Sequence, residues 1–130
     1  MRSAKFPEGR IPSIRVVMMP RDTNALGTIF GGVILSQIDM AAAVEGLRHH
    51  RGKLVTVAMD KIEFRQPVFV GDAVSFFTEK VRIGRTSITV RVEVWSERRL
   101  GDGKNVFVTE AQVTLVAIDE KGRPVPIGSA

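Results

Sequence analysis

The sequence predicts an α+β fold in which an antiparallel β-sheet wraps around one long central α-helix. Three observations predict it. Residues 32–50 have helix composition and are apolar nearly all round as far as Glu45, as a buried helix is. From Thr86 onward, Ile88, Val90, Val92 and Val94 alternate with Thr89, Arg91 and Glu93, the period of a half-buried strand. The other apolar runs are joined mostly by short turns, which favours hairpins and antiparallel pairing.

Each element follows in order along a single domain spanning 1–130. Residues 1–10 read as a loose N-terminus. Residues 14–19 form a short strand that Pro20 ends, and 21–28 are irregular, with Asp22, Asn24 and Gly27 as turn formers. Gly31-Gly32 and Gly52 bound the helix, whose end carries Arg48, His49, His50 and Arg51 as cations complementing the helix dipole. Residues 55–64 read as a strand, with an exit through Pro67, Gly71 and Asp72. Residues 73–83 form the next strand, Gly84-Arg85 a tight hairpin, 100–104 a loop and 106–118 the last strand. Trp95 and the seven Phe are mostly assigned to packing. One helix covers one face of a sheet, so the apolar surface that remains invites self-association.

Composition narrows the function classes. The chain has 130 residues, 44% of them hydrophobic, which is too apolar for disorder. No cysteine is present, so disulfides, thiolate metal sites and cysteine nucleophiles are excluded. The two histidines are adjacent, which argues against a histidine-rich metal site, and no metal or cofactor is expected. No apolar run is long enough to span a bilayer and the N-terminus lacks a signal-type core, so a cytoplasmic location without membrane contact is expected. Lys and Arg number 19 against 14 Asp and Glu, a net charge of +5. That excess leaves nucleic acid, membrane surfaces and phosphorylated small ligands open. The basic residues are scattered over helix end, hairpin and loops, without the aromatic interleaving of a nucleic-acid surface, so nucleic acid is not expected as a partner.

One residue breaks the helix pattern. Asp39 has Leu35, Ser36, Ala42 and Ala43 as its helical neighbours, and an ionised carboxylate left unpaired there is costly. It is either paired with a nearby Arg or backbone group, or it is a general base or nucleophile at a cleft. The helix start supports the second reading. Paired glycines there let a ligand approach the free N–H groups of the first turn, which suit an oxyanion.

The pattern Asn24-x-x-Gly27-x-x-Phe30-Gly31-Gly32, followed by Ser36-Gln37-x-Asp39, resembles the hotdog-fold acyl-CoA thioesterases of the small YciA-like branch. Three later segments agree: Met59-Asp60-x-Ile62-x-Phe64-x-x-Pro67-Val68, Val70-Gly71-Asp72 and Gly84-Arg85-Thr86-Ser87. The resemblance covers about residues 12–127. It implies a hotdog fold, hydrolysis of acyl-CoA to free CoA and a carboxylic acid, and a catalytic site at a dimer interface. Asp39 then corresponds to the catalytic carboxylate, as base or nucleophile, and Asn24 to a polar residue that positions water or the carbonyl. The N–H groups near Gly31 and Gly32 would polarise the thioester oxygen. Asn24 and Asp39 of one site would come from different subunits, within a trimer of dimers.

The same resemblance places CoA at Gly84, Arg85, Thr86 and Ser87. Arg65, Arg82 and Lys104 are further candidates for its phosphates, because charge-assisted bonds suit those groups, and each is equally readable as solvated surface charge. Met59 is assigned to the acyl or pantetheine channel, with plain core packing as the alternative. Two other functions are weighed. A hotdog hydroxyacyl-thioester dehydratase needs a histidine beside the substrate, and none lies near the helix start. A non-catalytic acyl-CoA-binding module would not need an acid facing the thioester.

Overall fold

The computed structural model describes residues 4–129. Strand β1 (Ile14–Val17) leads through a short 3₁₀ turn (Pro20–Asp22) to helix α1 (Gly31–Leu47). Four strands follow: β2 (Lys53–Asp60), β3 (Ala73–Ile83), β4 (Ser87–Glu97) and β5 (Asn105–Ile118). They form one antiparallel sheet in the order β1-β3-β4-β5-β2, curled around the helix. Hairpin connections give the central order β3-β4-β5. The helix inserted between β1 and β2 sends those two strands to opposite edges.

Alternation decides which face of the sheet meets the helix. Ile88, Val90, Val92 and Val94 of β4 are fully buried, and so are Val113 of β5 and Val74 and Phe76 of β3. From α1 they meet Ile34, Ile38, Ala41 and Ala42. Burying an Ile or Val side chain of this kind stabilises the fold by about 1.5–3 kcal/mol. Small residues let the helix sit close. A Cβ added at Gly46 would lie 2.7 Å from Leu54 Cδ1 and 3.2 Å from Leu115 Cδ1, so Gly46 is where α1 presses hardest on the sheet.

Several boundaries differ from the sequence reading. The first strand stops at Val17, shortly before Pro20 opens the 3₁₀ turn. The strand expected over 55–64 runs from Lys53 to Asp60 and stops at Lys61, whose φ of 61° is left-handed. The helix stops at Leu47, three residues before the expected end. There the N–H groups of Arg48 and His49 bond to the oxygens of Glu45 and Gly46, a tightening to 3₁₀ spacing that closes the last turn.

Two expectations about burial are corrected. The helix is not covered all round, since Ser36, Met40, Ala43 and Leu47 form an exposed stripe along one side. Nor is the N-terminus loose from residue 4 onward; residues 1–3 lie outside the described residues. Phe6 packs edge-on against Phe77 and Trp95, with ring centroids 5.6 and 5.4 Å away. Arg10 donates to the Thr78 carbonyl at 2.9 Å. This segment covers the outer face of β3 and β4, which α1 cannot reach. Among the described residues, no helix is long and apolar enough to cross a membrane.

Candidate active site

The start of α1 lacks the side-chain cap most helices carry. Its N-cap position is Phe30, which has no acceptor to offer, and no side-chain bond closes the first turn. The N–H groups of Gly31 and Gly32 are therefore left to whatever approaches from outside. Beside them opens a cleft of about 230 Å³ lined by Ile29, Gly31, Ile34, Phe64, Pro67 and Val68, with Gln66 at its polar side.

The chain delivers this helix start with a rigid loop. Asn24 Oδ1 accepts from the N–H groups of Leu26 at 2.8 Å and Thr28 at 3.2 Å, while its Nδ2 donates to Thr28 Oγ1 at 3.0 Å. The N–H of Ile29 bonds to Val68 and that of Phe30 to Asp22, locking the loop to its surroundings. Within one chain Asn24 thus organises its own turn, and one hydrogen of its amide group stays available among the described residues.

Asp39 sits two turns further along α1, half-buried rather than enclosed. Its Oδ1 accepts a 2.6 Å hydrogen bond from Thr56 Oγ1 on the edge strand β2. The register of β2 on β5 shifts between Thr56 and Ala58, a bulge beside the aspartate. Thr56 was not identified from the sequence. No local spacing relates it to Asp39; the pairing exists only once the sheet is assembled.

The other expected site residues fall into two groups. Gly84, Arg85, Thr86 and Ser87 turn the β3–β4 hairpin, closed by a 2.8 Å bond from the Gly84 N–H to the Ser87 oxygen. Arg82 is exposed just before it. Lys104 lies in the loop at the other end of β4, roughly 30 Å away at about 3.3 Å per residue. There its ammonium is 3.4 Å from Asp102. The same lysine's backbone N–H, then its charge, hold the Asp102 carboxyl below the usual carboxylate range. Arg65 also belongs to that far end, through a 2.7 Å bond from its N–H to Val108 and a 3.5 Å approach to Glu63. One chain therefore does not bring Lys104 or Arg65 to the hairpin. Met59 packs against the core from β2.

The histidines do not serve as helix-end cations alone. His49 Nε2 lies 2.9 Å from Glu45 Oε2, and the buried His50 accepts the Gly128 N–H on Nδ1 at 3.0 Å. Glu45, buried, also takes bonds from Arg48 at 2.7 Å and Thr78 at 2.8 Å. Burial pushes the Glu45 carboxyl up, but the bonds from His49 and Thr78 and the charge of Arg48 outweigh it, and its pKa lies below the ordinary 4.5. The spacing Glu45, Arg48, His49 carried that signal in the sequence. The aromatic assignment also changes: Phe30 and Phe64 are 57% and 45% exposed, each beside a helix-start glycine, so they are not core.

The sequence and the fold both have known counterparts. Residues 26–101 match the thioesterase superfamily. The chain belongs to that superfamily. This thioesterase is 38% identical over 123 residues to the acyl-CoA thioester hydrolase YciA of Salmonella typhimurium, covering 93% of this chain and 92% of that one. It is 42% identical over 112 residues to an uncharacterized acyl-CoA thioester hydrolase of Haemophilus influenzae, covering 85% and 73% of the two chains. Its fold superposes on the hexameric hotdog-fold thioesterase Cj0915 of Campylobacter jejuni with a TM-score of 0.85, at 44% identity and 90% coverage of both chains. The thioesterase therefore has a hotdog fold and sits in the YciA-like branch.

Proposed function

We propose that this acyl-CoA thioesterase hydrolyses its substrate between two subunits, with Asp39 of one subunit acting on a carbonyl held at the helix start of the other. One observation carries the reading. Asp39 lies seven residues past Gly32, about 10 Å along the axis at ~1.5 Å per residue, too far for its carboxylate to reach a carbonyl bound there. A second copy is needed to join the two halves. The surface for it is present: the free edge of β2 exposes Val55 and Val57, and the exposed stripe of α1 includes Met40 and Leu47. Cj0915 is hexameric, and a trimer of such dimers fits this chain.

In the assembled site the N–H groups of Gly31 and Gly32 receive the carbonyl oxygen and stabilise the oxyanion as it forms. Asp39, oriented by Thr56, takes a proton from water; the hydroxide adds to the carbonyl, the C–S bond breaks, and the proton passes to the CoA sulfur. In the alternative route Asp39 attacks first, expelling the thiol, and water then cleaves the mixed anhydride. Asn24 positions the water or the carbonyl with its remaining amide hydrogen. The CoA phosphates meet the Gly84–Ser87 hairpin and the Arg82 and Arg85 side chains. Arg65 and Lys104 contribute only from another subunit, since in their own chain they lie at the opposite end of the sheet.

The test is thiol release from a series of acyl-CoAs by wild type and Asp39→Ala, with molecular mass measured in solution. Turnover by wild type, its loss in the variant and an even-numbered oligomer are expected. A fully active monomer would overturn the two-subunit site. Single-turnover hydrolysis in ¹⁸O water identifies the nucleophilic route when water opens the anhydride at the Asp39 carbon, since label then enters the Asp39 carboxylate and the product acid stays unlabelled.

A further inference from the structure

We infer that Phe64 is the specificity-determining residue for acyl length, and that the cleft beside Gly31 takes an unbranched aliphatic acyl chain. The inference rests on the oxyanion role proposed for Gly31 and Gly32. A carbonyl held on those N–H groups places one of its two substituents at the mouth of this cleft, whose walls are apolar except for Gln66. The pantetheine arm, with two amides and a nucleotide beyond them, suits the open hairpin side; the aliphatic chain suits the apolar side.

The cleft has an adjustable wall at Phe64, beside the exposed Gln66 and Pro67. Ile29, Ile34 and Val68 are 6%, 1% and 4% exposed, so they belong to the packed core and cannot move without disturbing it. Phe64 differs, being 45% exposed on the irregular segment after β2. Its backbone is nevertheless fixed on both sides. Thr109 Oγ1 accepts the Glu63 N–H at 3.3 Å and donates to the Glu63 carbonyl at 2.9 Å, and the Arg65 N–H donates to Val108 at 2.7 Å. A pinned backbone carrying a half-exposed ring is a wall whose reach is set by the size of its side chain. That ring lies over Gly31, where an added Cβ would be 3.7 Å from Phe64 Cε2.

The experiment measures kcat/KM for acetyl-, butyryl-, hexanoyl-, octanoyl- and decanoyl-CoA with the assembled enzyme, for wild type, Phe64→Ala, Phe64→Leu and Phe64→Trp. Removing the ring should raise the octanoyl-to-acetyl ratio about ten-fold or more, and Phe64→Trp should lower it, as apolar pockets discriminate methylenes on that scale. A ratio that stays at the wild-type value in all three variants overturns the assignment while leaving the hydrolase reading intact. Wild-type inactivity on every chain length would overturn both. Because three substitutions of different size are compared, a folding failure in Phe64→Ala leaves Phe64→Leu and Phe64→Trp to decide.

Discussion

The two ends of α1 are built on opposite plans. At its C-terminal end the buried polar side chains have partners: Glu45 holds Arg48, His49 and Thr78, and His50 holds the N–H of Gly128. At its N-terminal end a phenylalanine stands where a capping side chain belongs, and Gly31 borders a mostly apolar cleft. Helix-start N–H groups have no partner within the helix itself, and this open end is where the proposed site puts the substrate carbonyl. Polarity alone does not distinguish them, since the closed end is the more charged of the two. What separates function from scaffold here is whether partners lie within the chain.

The largest test of that contrast is Asp39→Asn. The amide keeps the size of the side chain and still accepts the Thr56 bond, yet it cannot take a proton or form the anhydride. Turnover should fall about a thousand-fold, roughly 4 kcal/mol of barrier, while the melting temperature and assembly stay near wild type. If Asp39→Asn keeps wild-type turnover, the aspartate belongs with Glu45 as scaffold. Thr56→Val should move in the same direction by a smaller factor, with rescue by Thr56→Ser.

Glu45→Ala is the counterpart at the closed end. It removes the shared acceptor of Arg48, His49 and Thr78, leaving the Thr78 hydroxyl only its bond to Ser13, and should cost about 1–3 kcal/mol of stability while kcat per folded enzyme stays unchanged. Acid titration checks the same group. Its folded pKa is lowered, so its contribution is complete above the ordinary value of 4.5 and is lost as pH falls through the lower folded value. Wild type should lose stability on acidification below about pH 4.5, and Glu45→Ala should lose less over that interval. Equal acid sensitivity in both would show that the cluster adds nothing.

These two residues also show what a sequence can carry. Asp39 stood out because it is charged among apolar helical neighbours, and the sheet-on-helix architecture was legible because β4 alternates so strictly. The support of Asp39 was not legible. Thr56 reaches it only through the pairing of β2 with β5 and the bulge between Thr56 and Ala58, a relation with no fixed spacing. Phe64 was missed for the opposite reason: aromatic residues are usually core, and only the irregular segment after Lys61 leaves its ring at the cleft. The cationic residues were the least legible in role, because charge alone does not say which of them meets a phosphate. Arg85 and Lys104 flank β4 at opposite ends, as the hairpin and the 100–104 loop imply, yet both stood as phosphate candidates.

Phe30→Asp converts the open end into a closed one. Aspartate at the N-cap accepts from the free N–H groups of the first turn and complements the helix dipole, which should stabilise the fold by about 1 kcal/mol. The same bond occupies the proposed oxyanion donors with a negative charge, so kcat should fall about ten-fold or more. Higher melting temperature with lower turnover is the expected pair of results. A gain in stability without loss of activity would show that the carbonyl binds elsewhere.

The smallest effect concerns how far substrate extends toward the closed end. The tail links the two features there, since the Ile127 N–H bonds to the Arg85 oxygen and the next residue, Gly128, bonds to His50. Arg85 is exposed, so water and salt screen its charge and its contribution to phosphate binding is modest. Arg85→Ala should raise KM for acyl-CoA about five-fold, roughly 1 kcal/mol, and leave KM for acyl-pantetheine unchanged. Adding salt should narrow the difference between wild type and variant. Lys104→Ala provides the geometric control, because that side chain reaches the site only if another subunit carries it there. An increase in KM for Lys104→Ala equal to that for Arg85→Ala would place the 98–104 loop of a neighbouring subunit beside the hairpin, and the substrate would then span three parts of the assembly instead of two.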